Sequence, residues 1–298
     1  MKILLFGKRG QVGWELNRSL QALGEVTALD KDDVDFLDPE SLRQIVRNVS
    51  PDIICNAVAY TAVDKAEEEE ELAMKINGIS PGILAEEALG LDALLVHYST
   101  DYIFDGVKTT PYLETDEPNP VNAYGRTKRA GELAIQSSGC DYLILRTSWV
   151  YASRANNFML TMLKLAQKKE ELRVVSDQIG APTSARLIAD TTISCVEQAA
   201  REKHNGAFSS GLYHMTASGL TSWYGFTEEI IKMADKRLIT PLAIKNIIAI
   251  PTSEYPASVI RPMNSQLILK KLENTFNLRM PDWKNGLELC IEELTSYE

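Results

Sequence analysis

In the first half of the chain, short apolar runs alternate with stretches in which apolar residues recur at helical spacing. The runs predict buried strands, and the recurring positions predict helices that pack on them. The predicted strands are 2–6, 25–29, 51–57, 94–98 and 142–146, and the predicted helices begin near residues 12, 38, 64, 81 and 122. This alternation predicts an α/β fold of the Rossmann type, a doubly wound parallel sheet with helices on both faces.

After Arg146 the alternation is less regular. Helices are predicted at 157–167, 184–199, 223–234 and 282–294, with strands at 172–175 and 211–215. Residues 251–262 are too irregular for a scaffold element and long enough for a binding loop. We therefore predict a first domain at 1–150 and a smaller α/β domain at 151–298, with part of 170–200 returning to the first domain.

The first strand leads directly into a glycine-rich turn. Gly7, Gly10 and Gly13 follow it at three-residue spacing, and a helical pattern begins at Val12. Gly7 permits a tight turn, Gly10 lets the backbone approach a pyrophosphate, and Gly13 lets the helix pack closely on the sheet. The N–H groups at the helix start are then available to an anion. The spacing is not the usual G-x-G-x-x-G and a plain structural turn is the alternative, but the position after a clean strand favours a dinucleotide site.

Composition narrows the function classes. The chain has 298 residues, 45% of them hydrophobic, and a net charge of −10. These values suit a globular enzyme and disfavour general binding to nucleic acid or an anionic membrane. The four cysteines are far apart, so we expect reduced thiols and a cytoplasmic protein. The histidines and cysteines show no metal-ligand spacing, no apolar run reaches the ~20 residues of a membrane helix, and the N-terminal strand is too short for a signal peptide.

Two sets of polar residues lie where such folds carry chemistry. Tyr124 and Lys128 are four residues apart on a predicted helix and therefore share a face. An ammonium there stabilises the phenolate and lowers the tyrosine pKa from ~10, which predicts a general acid or base. Ser99 and Thr100 end the fourth strand, where a hydroxyl can hydrogen-bond a substrate carbonyl. Taken singly, a solvated Tyr–Lys pair or a strand-end turn explains each set, but together with the glycine turn their order favours function.

This order of motifs resembles the extended short-chain dehydrogenase/reductase superfamily, and nearly the whole chain resembles its dTDP-4-dehydrorhamnose reductase family. The stretches that carry the resemblance are ILLFGK at 3–8, GQVGWEL at 10–16, TAVDKAE at 61–67, HYSTDY at 97–102, RTSWVY at 146–151, NNF at 156–158, GAPT at 180–183 and RP at 261–262. The STDY and RTSWVY strings are specific, whereas the glycines are not.

The resemblance implies that NADPH or NADH delivers a hydride to the C4 keto group of dTDP-4-dehydro-L-rhamnose, giving dTDP-L-rhamnose for cell-surface polysaccharides. It implies Tyr124 as proton donor, Thr100 as the residue that positions the carbonyl, and Lys128 as the residue that holds the nicotinamide ribose. The implied cofactor contacts are Gly7, Gly10, Gln11, Val12, Gly13, Asp30, Asp35, Phe36, Ala59, Tyr60, Thr61, Tyr98, Tyr124 and Lys128. The implied substrate contacts are Thr100, Asp101, Phe104, Trp149, Asn157 and Arg261. The domain at 1–150 then binds NAD(P), and the domain at 151–298 binds the nucleotide sugar.

One departure from the family concerns a metal. Some members are similar dimers joined by magnesium between acidic side chains, and Glu15 and Asp190 match two of those positions. Arg186 stands where a further acid is expected, and a cation cannot ligate magnesium. We therefore predict no metal site. Either Arg186 pairs with Glu15 across a metal-free homodimer interface, or no such dimer forms.

The choice between NADH and NADPH depends on the residues near the second strand. Asp30 favours NADH, because a carboxylate accepts from the ribose 2′-OH and repels a 2′-phosphate. Lys8 and Arg9 could offset that repulsion. We expect use of both cofactors, with the preference for NADPH that the family implies.

Other functions fit the same sequence less well. A dehydratase would need an acid after Thr100-Asp101, where this chain has Tyr102. An epimerase, or a reductase of a sister 4-keto nucleotide sugar, would look nearly the same. A non-catalytic regulatory subunit of methionine adenosyltransferase also resembles this family, but the intact Thr100, Tyr124 and Lys128 favour an enzyme.

Overall fold

The computed structural model describes residues 1–208, 210–237, 241–256 and 258–295. The strands are β1 Lys2–Phe6, β2 Glu25–Leu29, β3 Ile53–Asn56, β4 Leu94–Thr100, β5 Asp141–Thr147, β6 Val150–Tyr151, β7 Glu171–Val175, β8 Ile179–Gly180, β9 Thr183–Ser184, β10 Gly211–His214, β11 Thr221–Ser222 and β12 Asn246–Ile250. The α-helices are α1 Gln11–Ser19, α2 Pro39–Val49, α3 Val63–Ala66, α4 Glu70–Met74, α5 Ser80–Gly90, α6 Ala123–Ser138, α7 Phe158–Ala166, α8 Ala185–His204, α9 Trp223–Asp235, α10 Lys270–Thr275 and α11 Trp283–Thr295. None of these helices is both long enough and apolar enough to cross a membrane.

The centre of the molecule is a six-stranded sheet in the order β10-β5-β4-β3-β1-β2. Every neighbouring pair in it is parallel, so the predicted Rossmann-type α/β fold is confirmed. All residues of β3 and β4 are buried, as expected for parallel strands covered on both faces. Leu16 of α1 and Ile188 of α8 pack on one face, and Val46 of α2 and Leu84 of α5 pack on the other.

The strand order reverses between β1 and β3. The chain adds β2 on one side of β1, then crosses back and places β3 on the other side. Ligands of open α/β sheets bind outside the carboxyl ends of the strands at such a reversal. In this chain Gly7 follows β1 and Ala57 follows β3, so both border that point.

The second half of the chain is divided between two places. Helices α7, α9 and α11 share a core that includes Met159, Phe226 and Leu287, and β7 pairs with β12 beside it. By contrast, α8 packs on α1 and β10 joins the central sheet next to β5. The chain therefore returns to the first sheet after residue 184, while the division at 1–150 and 151–298 stays a prediction.

The elements differ from the predicted ones at several places. Strand β4 continues past Tyr98 because Ser99 and Thr100 pair with β5. The helices predicted after residues 64 and 81 are joined by a π-helical turn at Lys75–Ile79. Pro81 is tolerated because it falls in the first turn of α5, where a missing N–H leaves no helical hydrogen bond unmade. Strand β12 was not predicted, although it contains the apolar run IIAI, and only Ile250 in it is buried.

Candidate active site

The glycine turn after β1 has the geometry of a phosphate cradle. Gly7 has φ +88°, in the left-handed region that favours glycine, and a Cβ on Gly13 would overlap the Gly7 carbonyl. Gly10 is the N-cap of α1, and no side chain among the described residues caps this end. The first N–H groups of the helix have no intrahelical partner. Gln11 Oε1 is buried without a hydrogen-bond partner in the described part of the chain. Free N–H groups and an open backbone surface fit a pyrophosphate.

Asp30, directly after β2, lies next to this turn. Its Oδ2 accepts a hydrogen bond from Arg9 N at 2.8 Å. The two nearby cations are already paired with acids, Lys8 Nζ with Asp33 Oδ2 at 2.7 Å and the Arg9 guanidinium with Asp32. The position of Asp30 suits a ribose hydroxyl, whereas the cations that would favour a 2′-phosphate are engaged by neighbouring carboxylates.

The other predicted adenosine and ribose contacts lie at the same edge of the sheet. Asp35 Oδ1 accepts from Leu37 N at 2.8 Å, and the Phe36 ring stands edge-on to Phe6. Tyr60, flanked by Ala59 and Thr61 after β3, donates its backbone N–H to Asn77 Oδ1 at 2.8 Å and its phenol to Glu69. These bonds fix the loops that follow β2 and β3, around the point where the strand order reverses.

Thr100 and Tyr124 are brought together by the end of β4 and the start of α6. Asn122 caps α6 by accepting from Gly125 N at 2.9 Å. A Cβ on Gly125 would overlap the Tyr102 carbonyl, so this glycine lets the helix start pack against the strand end. The Thr100 hydroxyl lies near enough to the Tyr124 phenol to lower its pKa by hydrogen bonding, and Thr100 Oγ1 donates to Asp101 Oδ1 at 3.1 Å. Two hydroxyl groups therefore converge where the sequence predicts the carbonyl site.

The expected lowering of the Tyr124 pKa is wrong for this arrangement. Burial raises the pKa of Tyr124 to about 12; the Thr100 hydrogen bond opposes that rise and the Asp101 charge adds to it. Lys128, which was expected to stabilise the phenolate, instead donates to Tyr98 O at 2.6 Å. Tyr124 is consequently protonated at neutral pH, the form that a proton donor requires.

Lys128 and Asp101 are both buried charges. Burial lowers the pKa of Lys128 to about 8, with the Glu132 carboxylate opposing that shift. Burial raises the pKa of Asp101 to about 6, and the Ser265 and Thr100 hydroxyls partly offset it. Perturbed groups of this kind cluster at functional sites, and these two flank Thr100 and Tyr124.

A cavity of about 520 Å³ lies in the second half of the chain, and Thr100, Asp101, Tyr124 and Lys128 are not among its lining residues. Its wall is joined to the start of α6 by Asn122 Nδ2, which donates to Ile260 O at 3.0 Å. Its walls come from α7, β7, the start of α9 and the loop predicted at 251–262, of which Ala257 lies outside the described residues. The lining is mostly apolar, with Arg173 and Arg261 as its cations. Arg261 Nη2 is 2.7 Å from Asp64 Oδ2 on α3, so the loop is attached to the first half of the chain.

Trp149 is held against the wall of this cavity. Its ring stacks on Trp223 with centroids 3.6 Å apart, and its φ of +49° is unusual for a non-glycine residue. A Cβ on Gly180 would come within 2.7 Å of the Trp149 ring, so the glycine in GAPT makes room for the indole. Trp223 was not among the predicted site residues, because only tertiary contact distinguishes it from an ordinary helix-start aromatic.

Three predicted contacts bond or pack within the chain, and their ligand roles stay predictions. Phe104 is only 1% exposed, and its ring stacks on Tyr112 at 4.1 Å. Asn157 caps α7 through Leu160 N, and its amide group donates to two backbone carbonyls at 2.8 and 3.1 Å, which uses its hydrogens. The Tyr98 phenol lies in the core, 2.9 Å from Thr192 Oγ1, so Tyr98 can offer the site only backbone atoms.

Arg186 has partners within its own chain, and its pairing across a dimer interface stays a prediction. Arg186 Nε lies 3.8 Å from Glu15 Oε2 in the same chain, because α8 packs along α1, and its Nη2 lies 3.2 Å from Glu293 Oε1. Arg18 is a second partner of Glu15 at 3.0 Å. Burial raises the pKa of Glu15, while the two arginines oppose that shift. In the ranges that the structure describes, no three residues of the types His, Cys, Asp and Glu cluster as metal ligands would.

Comparison with known proteins agrees with this geometry. Residues 1–296 match the family model described as RmlD substrate binding domain. A dTDP-4-dehydrorhamnose reductase of Burkholderia thailandensis is 50% identical to this chain, covering 99% of it and 100% of that protein. The chain belongs to the dTDP-4-dehydrorhamnose reductase family. The family resemblance drawn from the sequence motifs is thus confirmed.

Solved structures of dTDP-4-dehydrorhamnose reductases share the fold. That from Clostridium acetobutylicum has a TM-score of 0.89 and 37% identity and covers 99% of both chains. That from Bacillus anthracis, solved in complex with NADP, has a TM-score of 0.89 and 33% identity, covering 98% of this chain and 99% of that one. Which residues of this family member contact ligands stays a prediction.

Proposed function

We propose that this chain is an NAD(P)H-dependent oxidoreductase that reduces the C4 keto group of dTDP-4-dehydro-L-rhamnose to give dTDP-L-rhamnose. One observation carries the proposal. Thr100, Tyr124 and Lys128 lie together at the carboxyl end of β4, in a chain that belongs to the dTDP-4-dehydrorhamnose reductase family.

The residues around the glycine turn fit a dinucleotide. Gly10, Gln11 and Val12 would hold the pyrophosphate through the uncapped start of α1. Asp30 would accept from the adenosine ribose and Lys128 would donate to the nicotinamide ribose. A reduced nicotinamide supplies the hydride when bound. We propose that both NADPH and NADH serve, with NADPH preferred.

The protein's own groups manage the charge that develops on the carbonyl oxygen. Tyr124 donates its proton to that oxygen, since burial keeps the phenol protonated at neutral pH. Thr100 Oγ1 would turn its hydrogen from Asp101 Oδ1 to the same oxygen and so position it. Thr100 is buried and Tyr124 is partly buried, and exclusion of water strengthens these interactions.

The cavity has the chemistry of a nucleotide-sugar site. The Arg261 and Arg173 guanidinium groups suit a diphosphate, because their planar forks pair with phosphate oxygens. In the free chain they pair with Asp64 and Glu254, and a bound diphosphate would replace these carboxylates. The apolar walls and the Trp149–Trp223 stack suit a base or a sugar ring. Asp101, beside Thr100, would accept from a sugar hydroxyl.

The decisive assay supplies the keto sugar with NADPH and identifies the product by NMR. We expect NADPH oxidation and a product with the C4 configuration of L-rhamnose. The opposite C4 configuration would indicate a sister ketoreductase, and conversion without net NADPH oxidation would indicate an epimerase. Cofactor binding without any conversion would favour a regulatory subunit and contradict the proposal.

We also propose a cytoplasmic setting and a metal-free homodimer. Four buried free cysteines suit a reducing compartment; burial raises the pKa of the Cys55 thiol to about 12, which keeps it unreactive. Glu15 already has arginine partners within its own chain, which leaves no reason for a bridging cation. Light scattering with and without a chelator tests this, and a dimer that dissociates on chelation would contradict it.

A further inference from the structure

A row of buried polar side chains extends from Lys128 through His97 to Asn56. His97 on β4 is fully buried, and its Nε2 lies 3.3 Å from Lys128 Nζ. Its Nδ1 lies 3.2 Å from Asn56 Nδ2 on the adjacent strand β3. Lys128 Nζ also donates to Tyr98 O at 2.6 Å. His97 therefore joins the lysine of the site to Asn56 at the end of β3.

The neighbouring backbone fixes the hydrogen positions in this chain. Asn56 Oδ1 accepts from Val58 N at 3.1 Å, so reversing the amide would place two N–H groups against each other. Asn56 Nδ2 must then donate, and His97 Nδ1 must accept. A neutral imidazole carries one N–H, which leaves the hydrogen of His97 on Nε2, facing Lys128. Burial, and then the Lys128 charge, keep the pKa of His97 well below its usual value, so the ring is neutral.

The charge state of Lys128 follows from this arrangement. An ammonium has only donors, so it cannot accept the Nε2–H hydrogen bond of His97. An uncharged amine can accept it while donating to Tyr98 O. We propose that His97, with its tautomer fixed by Asn56, is a positioning residue that favours the uncharged amine of Lys128 and so sets the pH range in which the site works.

The other ionisable groups around Lys128 do not remove this bias. Tyr124, one turn earlier on α6, is protonated at neutral pH. Glu132, one turn later, is the nearby carboxylate that favours the ammonium. Glu132 is itself neutralised by Arg146 at 2.8 Å and Arg129 at 2.9 Å. The orientation of His97 therefore adds to the effect of burial.

The first test needs no substrate or cofactor. In the full chain labelled with 15N-histidine, NMR should show His97 with a protonated Nε2 and an unprotonated Nδ1 between pH 7 and about 9. A ring protonated at Nδ1 would overturn the proposal. Because this measurement is made on the free protein, it stands or falls separately from the proposed reductase activity.

The second test reverses the tautomer. In Asn56→Asp a carboxylate replaces the amide and accepts from both Val58 N and a His97 Nδ1–H, so His97 Nε2 becomes an acceptor for the ammonium. The Lys128 titration, followed by its side-chain 13Cε shift, should move up by about one pH unit or more. The alkaline limb of kcat/KM should move with it. An unmoved Lys128 titration in a folded variant with the reversed tautomer would overturn the proposal.

A matched control uses the other buried histidine. His214 is fully buried on β10, and its ring nitrogens have no partner in the described part of the chain. His214→Phe should leave the Lys128 titration and the alkaline limb in place. A similar shift in both variants would show a general packing effect and would count against a specific role for His97. Should Asn56→Asp not fold, the tautomer of the unmodified protein still decides.

Discussion

Helix α6 carries two buried charged side chains one turn apart, and their surroundings are opposite. Burial alone would raise the pKa of Glu132, but Arg146 holds that pKa below its usual value through two bonds of 2.8 Å. The hydrogen-bond partners of Lys128 are neutral, the Tyr98 carbonyl and the His97 ring, and its pKa falls to about 8.

The two sites differ in how the cost of burying a charge is compensated. At Glu132 a bidentate pair compensates the loss of hydration, so α6 is locked to β5. For Lys128, Tyr124 and Asp101, the surrounding groups do not offset the cost of burying the charged form. Burial therefore shifts their pKa values. Such uncompensated burial destabilises a fold and is the condition that proton-transfer sites exploit.

The largest expected effect concerns Tyr124, the proposed proton donor on α6. Tyr124→Phe removes the proposed proton donor and should lower kcat by about 10²–10⁴-fold with little change in cofactor affinity. Stopped-flow or steady-state NADPH oxidation measures it. Tyr151→Phe, another buried tyrosine, whose hydroxyl bonds only weakly to Trp283 O at 3.4 Å, is the control and should keep its kcat. Near-normal turnover in Tyr124→Phe would remove Tyr124 from the mechanism.

The next largest effect concerns the buried ion pair between Glu132 and Arg146. Glu132→Gln leaves Arg146 buried without its counter-charge and should lower the free energy of unfolding by about 3–5 kcal/mol. The double change Glu132→Leu with Arg146→Met should recover most of that loss, because it removes both charges. Urea unfolding followed by circular dichroism measures both.

An exposed ion pair serves as the control for this buried pair. Lys245 and Glu170 are bridged at 2.8 Å but are 66% and 70% exposed, so Glu170→Gln should cost at most about 1 kcal/mol. Equal losses in Glu132→Gln and Glu170→Gln would mean that the buried pair is not what fixes α6.

The third prediction is that the Asp101 carboxyl makes the free energy of unfolding depend on pH. Its folded pKa, about 6, lies above the usual 3.8, so between these values the folded state binds more protons than the unfolded state. Stability therefore falls as pH rises through this window. Asp101→Asn cannot titrate and should be more stable than the parent by up to about 3 kcal/mol at pH 7, at about 1.4 kcal/mol per pKa unit.

Urea unfolding of both proteins at pH 4 and pH 7 checks this prediction. The advantage of Asp101→Asn should largely vanish at pH 4, where the parent carboxyl is protonated in the folded state. The variant should also bind the nucleotide sugar less well. An advantage of equal size at both pH values would indicate a packing effect instead of relieved charge burial.

The smallest effect concerns the cofactor. Asp32→Asn releases the Arg9 guanidinium from its ion pair and should raise the ratio of kcat/KM for NADPH over NADH by about two- to fivefold, the range of a surface ion pair. Glu197→Gln removes one exposed negative charge on α8 and should leave the ratio unchanged. Equal changes in both variants would point to net charge and not to Arg9.

Much of the scaffold could be predicted because its signals are local. The apolar runs gave β1 and β2 with their observed bounds, and Asp38-Pro39 marked the start of α2. Strand β12 was not predicted although it contains the apolar run IIAI, and the structure pairs it with β7. The π-helical turn at Lys75–Ile79 was not predicted either, since packing against α6 and not propensity sets it.

By itself the sequence determined the order of the elements, the glycine turn, the spacing of Tyr124 and Lys128, and the family, because short-range periodicity and motif strings encode these. Only the tertiary structure decided what those side chains meet. Long-range packing buried Phe104, joined Glu15 to Arg186 within one chain, stacked Trp223 on Trp149 and placed His97 behind Lys128. Charge states depend on such contacts, since burial and partners set a pKa and neither is written in residue spacing.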